Sequence, residues 1–280
     1  VNESDARVCI AVVLTGNVDR SIVVRVDTAQ NSALATIDYV PISDHRLTFV
    51  PSGSVVLSVC INITDDNLIE GSEDFTASLT SLSPLVTLGS VATTRITILD
   101  DDVAGIGFAL SEINVPENGG QVQIAVDSTA NLNTPVSASV AIAGITASAN
   151  DYTVADGITF TFTPTGPSRQ FFSFTPVNDN RVENNEIVVA TLSTTDPQAV
   201  ITRGQIQITI QDDDEAVVRL DQSSYQTTEG DGFVNISVSL TGTLDVPVTV
   251  NLAANGLTAT EGDDFNFNDQ SVVFLTGETK

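Results

Sequence analysis

Apolar and polar residues alternate along most of this chain. "RVCIAVVL" (7–14), "SIVVRV" (21–26), "SVVLSVCINI" (54–63), "VQIAV" (122–126) and "VNISVSL" (234–240) all carry the pattern. Successive side chains of a strand point to opposite faces, so the pattern predicts half-buried antiparallel strands. Gly, Asn, Asp and Pro punctuate the runs as turn residues do. In the first run the inward set is Val8, Ile10, Val12 and Leu14, which leaves Cys9 outside. In the third it is Val55, Leu57, Val59 and Ile61, which leaves Cys60 outside. A helical period is essentially absent. Seven or so short strands in each roughly 110 residues predict an all-β fold of β-sandwiches.

The pattern recurs. "VNESDARVCIAVVLTG" (1–16), "VPENGGQVQIAVDSTA" (115–130) and "TTEGDGFVNISVSLTG" (227–242) align without gaps, with Glu3, Glu117 and Glu229 in one column. Asp38, Asp151 and Asp264 form a second column. "TDDNLIEGSEDF" (64–75) aligns with "VNDNRVENNEIV" (177–188), and triple acids close the unit at 100–102 and 212–214. A repeat of this size is one compact domain. The expected units are 1–102, 103–214 and 215–280. The first lacks an opening strand, the second is complete, and the third stops after its N-terminal part. No Gly/Ser- or Pro-rich linker separates them, so a stiff end-to-end rod is expected.

Composition narrows the function. Of 280 residues, 36 are acidic and 10 basic, a net charge of −26. Phosphates would be repelled, which excludes nucleic acid, and an anionic membrane surface is no better. With 41% apolar residues the chain is no disordered acidic tail. No apolar run reaches the ~18–20 residues of a membrane span, so no membrane insertion is expected. With no methionine, residue 1 is not an initiator, and the chain is expected to be a processed product or a fragment.

The acids sit where strands end. In the first unit Glu3 precedes a strand, Asp38 lies in a turn, Asp65, Asp66, Glu70 and Glu73 follow a strand, and Asp100, Asp101 and Asp102 end the last one. Alternating strand directions bring these groups to one pole. So many carboxylates would raise each other's pKa unless a cation intervened. The alternative is solvated turn residues. Recurrence in one column per unit favours a hard cation, and calcium takes 6–8 oxygens where magnesium keeps waters. Zinc would need more Cys and His than the chain has. The spacing at 65–73 is not that of an EF-hand.

"DYVP" (38–41), "DDNLIEGSEDF" (65–75) and "ITILDDD" (96–102) together resemble the Calx-beta domain, and the resemblance spans essentially the whole chain. It implies tandem immunoglobulin-like β-sandwiches with Ca2+ at the C-terminal pole of each. Carried over, the ligands of the first unit are Glu3, Asp38, Asp65, Asp66, Glu70, Glu73, Asp100, Asp101 and Asp102. Those of the second are Glu117, Asp151, Asp179, Glu183, Glu186, Asp212, Asp213 and Asp214. Asn178 replaces one acid there, so fewer ions or weaker binding is expected. The third unit offers only Glu229, Asp263 and Asp264, too few for a site. In the family fold the strands of Cys9 and Cys60 are neighbours, which implies a cross-strand disulfide, with two free thiols as the alternative. The disulfide would mean an oxidising compartment.

Asn2, Asn62 and Asn235 head N-x-S/T sequons, candidate glycosylation sites. His45 is the only histidine and reads as a surface residue. No nucleophile motif or phosphate loop occurs, and the acids repeat by domain rather than lining one aromatic cleft, so no enzyme activity is expected. Two functions compete. One is an extracellular structural or adhesion protein whose calcium-stiffened rod assembles with itself and with matrix components and glycans. The other is an intracellular calcium sensor, as in the regulatory loop of sodium/calcium exchangers. Incomplete end units would expose strand edges, so the expectation is head-to-tail self-assembly into a ring or filament, with a fragment of a longer array as the alternative.

Overall fold

A computed structural model describes residues 1–84 and 86–277; residues 278–280 of the third unit lie outside it. Every extended element is a β-strand, and the described helices are three single 3-10 turns.

The second unit has twelve strands: β8 (Ala104–Phe108), β9 (Glu112–Pro116), β10 (Val122–Ser128), β11 (Asn131–Leu132), β12 (Val136–Gly144), β13 (Tyr152–Val154), β14 (Thr159–Phe162), β15 (Arg169–Pro176), β16 (Arg181–Val182), β17 (Glu186–Ser193), β18 (Ala199–Arg203) and β19 (Gln205–Gln211). Two five-stranded sheets, in the orders β13-β15-β10-β8-β18 and β14-β12-β17-β19-β9, pack face to face. The opening stretch serves both. β8 pairs antiparallel with β10 and parallel with β18, and then β9 crosses to pair parallel with β19. The small residues of "AGIGF" permit this crowding: a Cβ at Gly107 would lie 2.6 Å from the Thr202 hydroxyl and 2.9 Å from the Arg203 nitrogen. Ile106, Phe108, Val126, Phe162, Phe174 and Ile208 fill the core between the sheets.

In the first unit β1 (Arg7–Val13) pairs with β4 (Val56–Asn62). β2 (Ile22–Gln30), β3 (His45–Phe49), β6 (Glu73–Ser81) and β7 (Thr93–Ile98) form the facing sheet. The counterpart of β9 survives as the parallel bridge Asn2↔Leu99. There is no counterpart of β8 among the described residues. The flank that β8 fills in the second unit is here a cavity of about 180 Å³ lined by Ile10, Val12, Val26, Val59 and Leu79. The inward set holds for Val12, Val59 and Ile61, which are buried, but Val55 is 52% exposed. It precedes β4, at the end of the sandwich where nothing covers it.

Cys9 and Cys60 are register partners and are joined by a disulfide across β1 and β4, on the solvent face. The bond closes a 51-residue separation. By chain entropy that contributes about 4 kcal/mol.

The third unit holds β20 (Val217–Leu220), β21 (Val238–Thr241), β22 (Thr243–Leu244), β23 (Val248–Leu252) and β24 (Gln270–Phe274). Its buried core is Leu240, Leu244 and Phe274. The alternating run 234–240 becomes strand only from Val238. Its second-unit counterpart pairs with β15 over residues 122–127, and no described strand of the third unit takes that place. Phe233 is therefore 76% exposed and Ile236 51%.

Short strands stitch the units together. β5 (Leu68–Ile69) of the first pairs parallel with β11 of the second, and β16 of the second with β22 of the third. Ile69 is 1% exposed and belongs to the second unit's core. Val182 packs likewise on Leu244 of the third.

Candidate metal centre

Each acidic pole is assembled from four loops. In the first, the bridge at Asn2 leads into a 3-10 turn that buries Glu3, whose backbone N–H donates to Leu99 O at 2.9 Å. The Glu3 carboxylate accepts the Asp66 N–H at 2.9 Å. Asp38 caps its own turn by accepting the Leu34 N–H, and its neighbour Tyr39 stacks on Phe75 at 3.9 Å between ring centroids. Asp100 accepts the N–H groups of Glu70 and Asp102, each at 3.2 Å. Two triads result, Glu3/Asp100/Asp102 and Asp38/Glu70/Glu73, with ligand oxygens within 4.8 Å in each. Between them lies a cavity of about 10 Å³ lined by Glu3, Asp38, Glu70, Glu73 and Asp100. That is about the room one water or ion occupies.

The second pole repeats this plan. Glu117, buried in its own 3-10 turn, accepts the Asp179 N–H at 2.7 Å. The triads are Glu117/Asp179/Asp214 and Asp151/Glu183/Glu186. A cavity of about 10 Å³ is lined by Glu117, Asp151, Asp179, Glu183, Glu186 and Asp212. Asp212 Oδ1 and Asp214 Oδ2 are buried with no hydrogen-bond partner.

Not every predicted carboxylate joins a triad. Asp65 and Asp66 flank Asp102 closely enough to act on its charge. Asp101 points away and accepts the Ser4 hydroxyl at 2.6 Å, while Asp213 accepts the Asn118 amide. Asn178 is exposed and donates to Asp179 O. Glu229, Asp263 and Asp264 are exposed and belong to no converging group among the described residues.

Burial and mutual repulsion push these acids upward. Desolvation, followed by neighbouring acids, raises Glu3 to about 7, Glu73 to about 7 and Glu186 to about 7. Desolvation and its contact with Asp245 raise Glu183 to about 8. Glu70, Asp102, Glu117 and Asp212 move in the same direction, again mainly by desolvation. Carboxylates held together against their own repulsion, oxygens left unpaired and an ion-sized gap fit a hard divalent cation with oxygen ligands. The residues that would hold it are the members of the four triads with Asp66 and Asp212.

Alternation and acid columns do not reveal the residues that reach in from the next unit. Gln198 of the second unit donates its amide to Glu70 O and, at 2.6 Å, to Asp100. Asn133 donates to Glu70 at 3.1 Å. At the second pole Arg181 pairs with Asp245 of the third unit. One signal was present in the aligned units, where Leu68 and Asn133 are replaced by Arg181 and Asp245.

No described helix is long and apolar enough to cross a membrane. No curated protein sequence matches the chain. Among solved structures it is similar to CBD12 from CALX1.2, at 20% identity over 75% of this chain and 96% of that one, TM-score 0.37. The calcium binding domain CBD12 of CALX1.1 matches at 19% identity over 74% and 94%, TM-score 0.38. The apo-form Calx CBD1 domain matches at 23% identity over 40% and 100%, TM-score 0.38. The family model of the Calx-beta domain matches residues 1–102, 100–214 and 211–280. With that model matched three times along its length, the chain belongs to the Calx-beta domain family.

Proposed function

We propose that this chain is a calcium-binding structural segment of an extracellular adhesion protein, in which calcium at the repeat junctions stiffens a rod. One observation carries the reading. The loop that supplies acids to each pole also supplies the strand that pairs with the next unit, β5 at the first junction and β16 at the second. A bound cation would neutralise the acids of that loop. Glu3 and Glu117 orient it by accepting the N–H groups of Asp66 and Asp179, while Ile69 and Val182 anchor it in the neighbouring core. Neutralised, the loop holds its neighbour; repelled, it loosens.

The extracellular placement draws support from the solvent-facing Cys9–Cys60 disulfide. It draws further support from the exposure of all three sequon residues, Asn2, Asn62 and Asn235. As part of this reading we infer an array of the kind found in the core protein of sponge aggregation factor, with matrix components and glycans as its partners. Head-to-tail self-assembly into a ring or filament, in which the first and third units of neighbouring copies share strands, is part of this proposal.

The test is thermal unfolding and light scattering of the native chain, in calcium and in chelator. Calcium at a hundredfold excess over Kd should stabilise by about 2.7 kcal/mol per occupied site, and chelation should break up an assembled particle. Identical melting in both conditions sinks the calcium reading. A monomer in both conditions sinks the assembly.

A further inference from the structure

We propose that Arg181 is a built-in cation of the second pole, clasping the second and third units together without metal, while the first junction has no such clasp. The inference rests on the calcium reading of the poles given above. Arg181 Nε lies 2.8 Å from Asp245 Oδ2, a second guanidinium nitrogen bonds Asp245 Oδ1, and Nε stands 3.5 Å from Glu183. One guanidinium thus joins a carboxylate of the next unit to a member of the Asp151/Glu183/Glu186 triad. Two parallel N–H···O bonds fix direction as well as charge.

The equivalent places at the first junction are neutral. Leu68 stands where Arg181 does and Asn133 where Asp245 does. The contacts made there are amides: Asn133 Nδ2 donates to the Glu70 carboxylate, and Gln198 Nε2 donates to Glu70 O and Asp100. Among the described residues no Lys, Arg or His forms an ion pair with any acid of the first pole. Arg181 and Asp245 touch each other, so these two positions exchange neutral residues for charged ones as a pair. The charges of Arg181 and Asp245 cancel, so the pair leaves the net charge of the pole unchanged; what it adds is a directed bond between the units. The second junction therefore stays closed over calcium concentrations at which the first opens.

The experiment uses the full chain with its disulfide intact and spin labels on introduced cysteines at exposed positions. Thr48 and Thr159 span the first junction, and Thr159 and Thr249 the second. In chelator at low salt, the distance distribution should broaden at the first junction and stay narrow at the second. The double substitution R181L/D245N, which imports the first junction's residues, should broaden the second junction in chelator. A second junction that loosens in chelator as much as the first overturns the clasp. So does an R181L/D245N chain that keeps a narrow distribution in chelator. If no form binds calcium, the calcium reading falls alone, because the effect of R181L/D245N in chelator still reports the clasp.

Discussion

The first and second poles share a plan and differ in how they meet the next unit. Both bury a glutamate in a 3-10 turn beside two triads and a cavity of about 10 Å³. The first keeps Asp65 where the second has Asn178, and it meets its neighbour through amides. The second meets its neighbour through a guanidinium. A junction held by amides alone would depend on the ion that balances its acids, whereas one held by an ion pair of its own would depend on it less.

The largest expected effect isolates the first unit. It lacks the strand equivalent to β8 and carries the only disulfide among the described residues. Replacing Cys9 and Cys60 by alanine should cost it about 4 kcal/mol and leave the second unit's unfolding unchanged, as followed by denaturant melts. Equal losses in both units would mean that they unfold as one body.

A smaller effect should follow from exchanging one acid. Asp65→Asn should weaken calcium at the first pole by about tenfold, or 1.4 kcal/mol, and Asn178→Asp should strengthen it at the second by a similar factor. Calorimetry of the two variants would read this directly. No change in either would show that these positions lie outside the ion's reach.

A third effect concerns protons. Glu3, Glu73, Glu186 and Glu183 have folded pKa values of about 7 to 8 against 4.5 for an ordinary glutamate. A raised folded pKa means that the folded state binds the extra proton. The stability it contributes is fully present below pH 4.5 and is lost as pH rises through 7 to 8. Metal-free protein should therefore melt lower at pH 8 than at pH 5. Calcium, which needs the carboxylates ionised, should reverse that order. A metal-free chain more stable at pH 8 would contradict the crowding.

Much of this was legible in one dimension. Parity put Cys9 and Cys60 on the outer face, and the repeated columns picked out all twelve carboxylates of the triads. It failed where pairing partners decide. Val55 has the right parity but no cover, and residues 234–237 alternate without a strand to pair with. Asp101 and Asp213 belong to the triple-acid runs yet turn towards Ser4 and Asn118.

Strand periodicity and repeat spacing are local properties, because each residue's face follows from its neighbour's. They determined the class of fold, the repeat and the acid-rich poles. The junctions were decided only by tertiary structure. Ile69 is buried by another unit's core, Gln198 meets Glu70 from 128 residues away, and Arg181 meets Asp245 across 64. Such contacts depend on which loops two packed sandwiches bring face to face, and no local pattern carries that information.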